Sequence, residues 1–188
     1  MSKGSTSFIA LLRGINVTGR NMIPMADLRA LCTKLGWDGV QTYIQSGNVV
    51  FRAHGTAAAL EAELEKAITR RFGFDIPVVM RTASDWERHI KSNPFSKASE
   101  SEPHWVLLVL PKAPPKADAA AALQQRATKG EIVVQAGNAL WIHFKGGVGE
   151  SKLSPAVLDR LIGSAATARN WRTVLKLREM AAADAPAK

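Results

Sequence analysis

The stretch VQTYIQSGNVVF, residues 40–51, decides how the first half of the chain is read. Apolar and β-branched residues occur on both sides of Gln45-Ser46-Gly47-Asn48. Gly-Asn between two such runs predicts a tight hairpin joining strands at 40–44 and 49–51. Upstream, Leu28, Leu31, Cys32 and Leu35 fall at helical spacing, with Pro24 placed for position N1 and Gly36 as the stop. Further upstream, residues 8–17 form a nearly continuous apolar run, which reads as a central strand covered on both faces. Downstream, Thr56 is placed to cap a helix carrying Leu60, Leu64, Ile68 and Phe72, which Gly73 ends. Residues 76–80 then form a strand, and Pro77 puts it at a sheet edge. The order is β-α-β-β-α-β, the split unit of ferredoxin-like folds.

The pattern then pauses and restarts. Ser84 and Glu87 have capping-box spacing before a short helix with Trp86 and Ile90. Residues 94–104 are polar and read as a linker. A second apolar strand covers 105–110, and an alanine-rich helix covers 117–128. Strands at 132–134 and 140–144 flank Gln135-Ala136-Gly137-Asn138, which echoes the first hairpin. That echo predicts a degenerate internal duplication. Ser154-Pro155 opens a helix, and the last helix starts at Asn170 or Trp171, with a frayed end over 181–188. The expected fold is therefore α+β: two tandem ferredoxin-like subdomains with antiparallel or mixed sheets, the second degenerate, plus C-terminal helices. The expected boundaries are 1–83, 84–104 for the short helix and linker, and 105–188.

The chain has 188 residues, 46% of them apolar, and a net charge of +9 with a pI near 10.1. That composition excludes a disordered chain. The positive excess favours acidic partners: nucleic acid, anionic small molecules or an anionic surface. A single cysteine, Cys32, rules out a disulfide within the chain and lies on a helix's apolar stripe. No cleavage pattern follows the N-terminal residues, and no run of about 18 apolar residues exists. A cytoplasmic protein without membrane association is the expectation.

Three clusters could carry chemistry. Topology puts the loop after the first strand beside the turn after the second, because both strands point the same way through a right-handed crossover. That brings Arg13, Asn16, Arg20 and Asn21 towards Ser46 and Asn48, at a helix N-terminus that favours anions. Arginines can fork onto phosphate or carboxylate, and the asparagines can orient neutral groups. The alternative is that glycines and asparagines here only shape turns. The second cluster is Lys145-Gly-Gly-Val-Gly-Glu-Ser-Lys152, a lysine-flanked glycine loop without Walker A spacing. It reads as a phosphate cradle or as a plain connector. The third is Arg169, Asn170, Trp171 and Arg172, where two arginines at a helix start would oppose the dipole unless an anion sits there. Otherwise Trp171 is a core anchor. The four histidines lack metal-ligand spacing, and no metal or cofactor is expected. An RNA-recognition sheet is disfavoured, since the central strands are aliphatic on both faces and lack exposed stacking aromatics.

The segment ALLRGINVTGRNMIPMADLRALCTKLGWDGVQTYIQSGNVVF, with SKL at 151–153 and ATARNWRTVLKL at 166–177, resembles the bacterial family catalogued as domain of unknown function 1697. The resemblance covers nearly the whole chain and implies two α+β subdomains but no activity. One departure is Thr18, where the family pattern has glycine; a small polar residue there is expected to leave the loop's character unchanged. The functional expectation is an anion-binding protein, its ligand a nucleic acid or a phosphorylated small molecule. The site would combine the first cluster with Lys145, Lys152 and residues 169–172. An enzyme acting on a phosphorylated or carboxylated metabolite, for which no general base stands out, and an interaction module with structural motif residues are the alternatives.

Overall fold

The computed structural model describes residues 5–183. The elements run β1 (Thr6–Leu12), α1 (Met25–Lys34), β2 (Asp38–Tyr43), β3 (Asn48–Ala53), α2 (Ala57–Phe72), β4 (Val78–Thr82), α3 (Ala83–Lys91) and α4 (Ser96–Ser101). They continue β5 (Val106–Pro111), α5 (Ala119–Arg126), β6 (Ile132–Ala136), β7 (Ala139–His143), α6 (Pro155–Ile162), β8 (Ala166–Asn170) and α7 (Trp171–Ala183). The protein is α+β, with two four-stranded antiparallel sheets ordered β2-β3-β1-β4 and β6-β7-β5-β8. The described residues form two compact units, one of residues 5–87 with 177–183 and one of residues 88–176.

In the first unit, β1 lies between β3 and β4, and its residues Phe8 to Leu12 are all buried. One face, with Phe8, Ala10, Phe51 and Met80, packs on Leu28, Cys32, Leu60, Leu64 and Ile68 of α1 and α2. Ile9, Leu11, Val50 and Val79 on the other face are buried as well. The expectation of a covered sheet therefore holds, and no aromatic stacking face is open. β4 pairs only with β1, at the edge that Pro77 predicts. Its outward N–H groups are not left open: Val78 N–H donates to Glu65 Oε1 at 2.8 Å and Met80 N–H to Glu61 Oε2 at 2.9 Å. Carboxylates from α2 thus cap an otherwise exposed edge.

Within the second unit, Val109, Leu140 and Ile142 pack on Leu123, Leu158 and Ile162 of α5 and α6. β8 completes its sheet, so this half is not degenerate. Its edge is treated like that of β4, since Ala166 N–H donates to Asp159 Oδ1 of α6 at 2.9 Å. Each half also runs its fourth strand straight into a helix capped by the last strand residue. Asp85 N–H donates to Thr82 Oγ1 at 3.1 Å, and Thr173 N–H to Asn170 Oδ1 at 3.0 Å.

Several sequence expectations shift. The first strand stops at Leu12 rather than 17, because left-handed residues follow. Pro24 is the N-cap of α1, one position before N1. Thr82 and Asp85, not Ser84 and Glu87, form the reciprocal box of α3, with Thr82 N–H donating to Asp85 Oδ2 at 3.3 Å. The expected linker contains α4. The two Gly-Asn pairs are not equivalent: Gly137-Asn138 is a two-residue turn, whereas residues 44–47 make a four-residue turn and Asn48 begins β3. The last helix continues to Ala183 with Ala181 buried, so the frayed end is not seen there; residues 184–188 of that expectation lie outside the described residues.

Candidate functional site

The first cluster is built on backbone that L-residues seldom adopt. Gly14, Asn16, Thr18, Gly19 and Asn21 all have positive φ, as do Ile44 and Gly47 across from them. Thr18 (φ 49°) and Gly19 (φ 75°) are the two central residues of a tight turn in which Arg20 N–H donates to Val17 O at 2.9 Å. Two left-handed central residues are what a type I′ turn requires. Asn16 organises the rest. Its Nδ2 donates to Ile23 O at 3.0 Å and to Gln45 O at 2.8 Å, while Ile23 N–H donates to its Oδ1 at 2.8 Å. Asn21 Nδ2 donates to Gly14 O at 3.0 Å.

The turn at 44–47 is drawn against this loop as topology predicts. Leu12 N–H donates to Gly47 O at 2.8 Å. A Cβ on Gly47 would lie 2.7 Å from both Leu12 Cβ and Ile15 Cδ1, so no other residue fits there. Asn48 is buried, and its Nδ2 donates to Tyr43 O at 2.9 Å and to Ser46 Oγ at 3.1 Å. Asn16 thus ties the two loops together, while Asn21 braces the first from within and Asn48 braces the second. What the braced loops present outward is different: Arg20 is exposed, and so are Val17 (57%), Met22 (57%) and Ile44 (51%). Arg13 is half-buried on the same loop. Sequence reasoning missed the three apolar residues, because a valine, a methionine and an isoleucine beside strands look like core.

The glycine loop of the second unit holds an anion of the protein's own. Glu131 is buried, and Ser151 Oγ donates to its Oε1 at 2.5 Å while Lys129 N–H donates to Oε2 at 2.7 Å. Burial alone would raise this carboxyl. Hydrogen bonds from Ser151 and from the backbone of Lys129, Glu131 and Thr128 outweigh it and hold the group below its ordinary value. Lys145 and Lys152 remain exposed on the loop, whose Glu150 pairs with Lys129 at 3.0 Å. No sequence signal marked Glu131 beyond a charge abutting an apolar run.

Arg169 and Asn170 are the last two residues of β8, and α7 starts directly after them at Trp171, where the sequence placed a helix start. Arg169 is buried, and its Nη1 donates to Thr167 Oγ1 and Ala168 O, each at 2.8 Å. Burial draws its pKa down to about 10. Arg81, at the matching position of β4, donates to Met80 O at 2.8 Å in the same way. Asn170 caps α7, Trp171 packs edge-on against Trp141 with ring centroids 5.7 Å apart, and Arg172 is exposed. Elsewhere in this unit, His143 Nε2 and Glu102 Oε2 are 2.7 Å apart. Among the described residues, no group of three His, Cys, Asp or Glu side chains could hold a metal ion, and no helix is long and apolar enough to cross a membrane. Cys32 is buried, which pushes its thiol up to about 12 and leaves it a poor nucleophile.

A family described as "Protein of unknown function (DUF1697)" matches residues 5–141, a span that includes both braced loops and the first sheet. The chain belongs to the DUF1697 family. The structure of the conserved bacterial protein SP0830 from Streptococcus pneumoniae is similar to this chain, with 26% identity and a TM-score of 0.71. The match covers 95% of this chain and 99% of that one. No curated protein matches the chain. Thr18, read in the sequence as a departure from the resembled pattern, occupies a left-handed position.

Proposed function

We propose that this DUF1697 protein binds nucleic acid, and that the platform of residues 13–22 and 44–47 makes the contact. The observation that carries this reading is the exposure of Val17, Met22 and Ile44 beside Arg20 on two cross-braced, left-handed loops. Strained backbone persists only where surroundings enforce it, and it gathers at ligand-contacting sites. Exposed aliphatic side chains can wedge against bases while cations meet phosphate. A net charge of +9 supplies long-range attraction for the same partner. Arg13 and Arg20 are the phosphate-contacting residues of this reading. Asn16, Asn21 and Asn48 position them, and Ser46 borders the contact. Lys145, Lys152 and Arg172 add to the general attraction. The matching strand order and edge capping of the two halves support placing both among ferredoxin-like folds.

Fluorescence polarisation with labelled single- and double-stranded DNA and RNA, taken through a salt series, tests the function. Affinity should fall steeply with salt, and Arg20→Ala should reduce the slope of log K against log salt by about 1 without changing the melting temperature. The variant Val17→Ser/Met22→Ser/Ile44→Ser should weaken binding while keeping the salt slope. Absence of binding at low salt, or binding that ignores salt, overturns the proposal.

A further inference from the structure

On the outer side of α1 and α2, away from the loops above, lies a groove of about 420 Å³. Leu31, Leu35 and Ala67 form its apolar part, and Lys34, Arg70 and Arg71 form its basic part. A volume of this order lies within the range of small-ligand sites. The charge is one-sided: three cations line the groove against Asp27 alone. Lys34 closes the last turn of α1, and Arg70 and Arg71 close the last turn of α2. Helix C-termini favour cations, which accounts for each singly. It does not account for three of them meeting around apolar side chains. Among the described residues, neither Lys34 nor Arg70 has a carboxylate within ion-pair distance. The Arg71 guanidinium is held 5.4 Å from the centroid of the Phe72 ring. A guanidinium stacked on a ring keeps its in-plane N–H fork for a carboxylate.

We infer that this groove binds an amphipathic monoanion, an acyl chain ending in a carboxylate. Charge complementarity selects the head group, and the leucine–alanine floor selects the body. A bare phosphate or a nucleic-acid backbone would leave the floor unused. A neutral alcohol of the same length would leave the groove's excess of cations over Asp27 uncompensated. The site is separate from the nucleic-acid platform and stands without it.

Titration of the isotope-labelled protein with decanoate, below its micelle concentration, tests the inference by two-dimensional amide NMR, with decanol and acetate as comparison probes. Decanoate should shift the amides of Leu31, Leu35, Ala67 and Arg70 saturably. It should bind at least about tenfold more tightly than either comparison probe. Lys34→Glu/Arg70→Glu should weaken decanoate by about tenfold or more. Ala30 lines the same groove but is solvent-exposed, so Ala30→Trp fills the space without entering the core. That variant should abolish the shifts while melting as the parent does. Equal binding of decanoate and decanol, shifts scattered over both units, or undiminished binding by A30W overturns the inference.

Discussion

A β-branched residue at φ 49° is costly for an L-amino acid, and Thr18 is such a residue. The left-handed conformation costs a non-glycine residue roughly 1–2 kcal/mol, while glycine gives back about 0.5–1 kcal/mol through its freer unfolded chain. Thr18→Gly should therefore stabilise the protein by about 0.5–1 kcal/mol, as read from urea denaturation midpoints. A neutral or destabilising result would mean that the turn relaxes away from this geometry. The expectation concerned the loop's character; the dihedral angle adds the energetic cost of Thr18 at that position. Sequence offered turn-shaping only as the alternative for the glycines and asparagines of this loop, and their positive φ angles and backbone hydrogen bonds fit that role. It could not tell that the Asn16 amide is tied to Gln45 O, because that partner lies on a turn nearly thirty residues away.

At the scale of elements, periodicity and caps were the most legible signals. Thr56 and Ser154 cap their helices through Ala59 and Val157, and Gly73 and Gly163 end them in left-handed conformation. β8 was not legible. Its sequence, Ala-Thr-Ala-Arg-Asn, has little apolar alternation, and it is a strand because β5 pairs along its length. The glycine loop likewise looked like a phosphate cradle, because the carboxylate its Ser151 holds comes from Glu131, twenty residues earlier. That arrangement has a consequence for acid stability. The folded carboxyl titrates below its ordinary 4.5. Its stabilisation is therefore complete above that value and is lost as pH falls through the lower folded value. Ser151→Ala removes a donor to the charged form and should cost about 1.5–3 kcal/mol at pH 7. The deficit should shrink as pH drops below 4.5, in denaturation series run at several pH values. A deficit constant with pH would show that Ser151 serves packing alone.

For the whole molecule, the repeated hairpin motif pointed to a duplication for a reason the structure revises. The two Gly-Asn pairs occupy different places in their turns, yet the halves agree in strand order, in edge capping by a preceding helix, and in a final helix capped from the last strand. Conserved contacts of that kind leave almost no sequence trace, since glutamate and aspartate, or threonine and asparagine, serve equally. The division into two units also gives the last turns of α7 a particular part. α7 starts in the second unit, but residues 177–183 belong with the first. Leu177 and Ala181 are buried, Ser7 Oγ donates to Ala181 O at 3.4 Å, and Arg178 Nε lies 2.6 Å from Glu87 Oε1. The ion pair is half exposed and contributes little. Loss of Leu177 alone should cost about 1.5–3 kcal/mol. Truncation after Lys176 should therefore loosen the opposite end of the sequence. Hydrogen exchange should quicken in Thr6–Leu12 and at residues 83–87 by more than in Ile132–Ala136 and Ala139–His143. If exchange quickens equally everywhere, the last turns of α7 support both units, and the division of the chain at Leu177 carries no energetic weight.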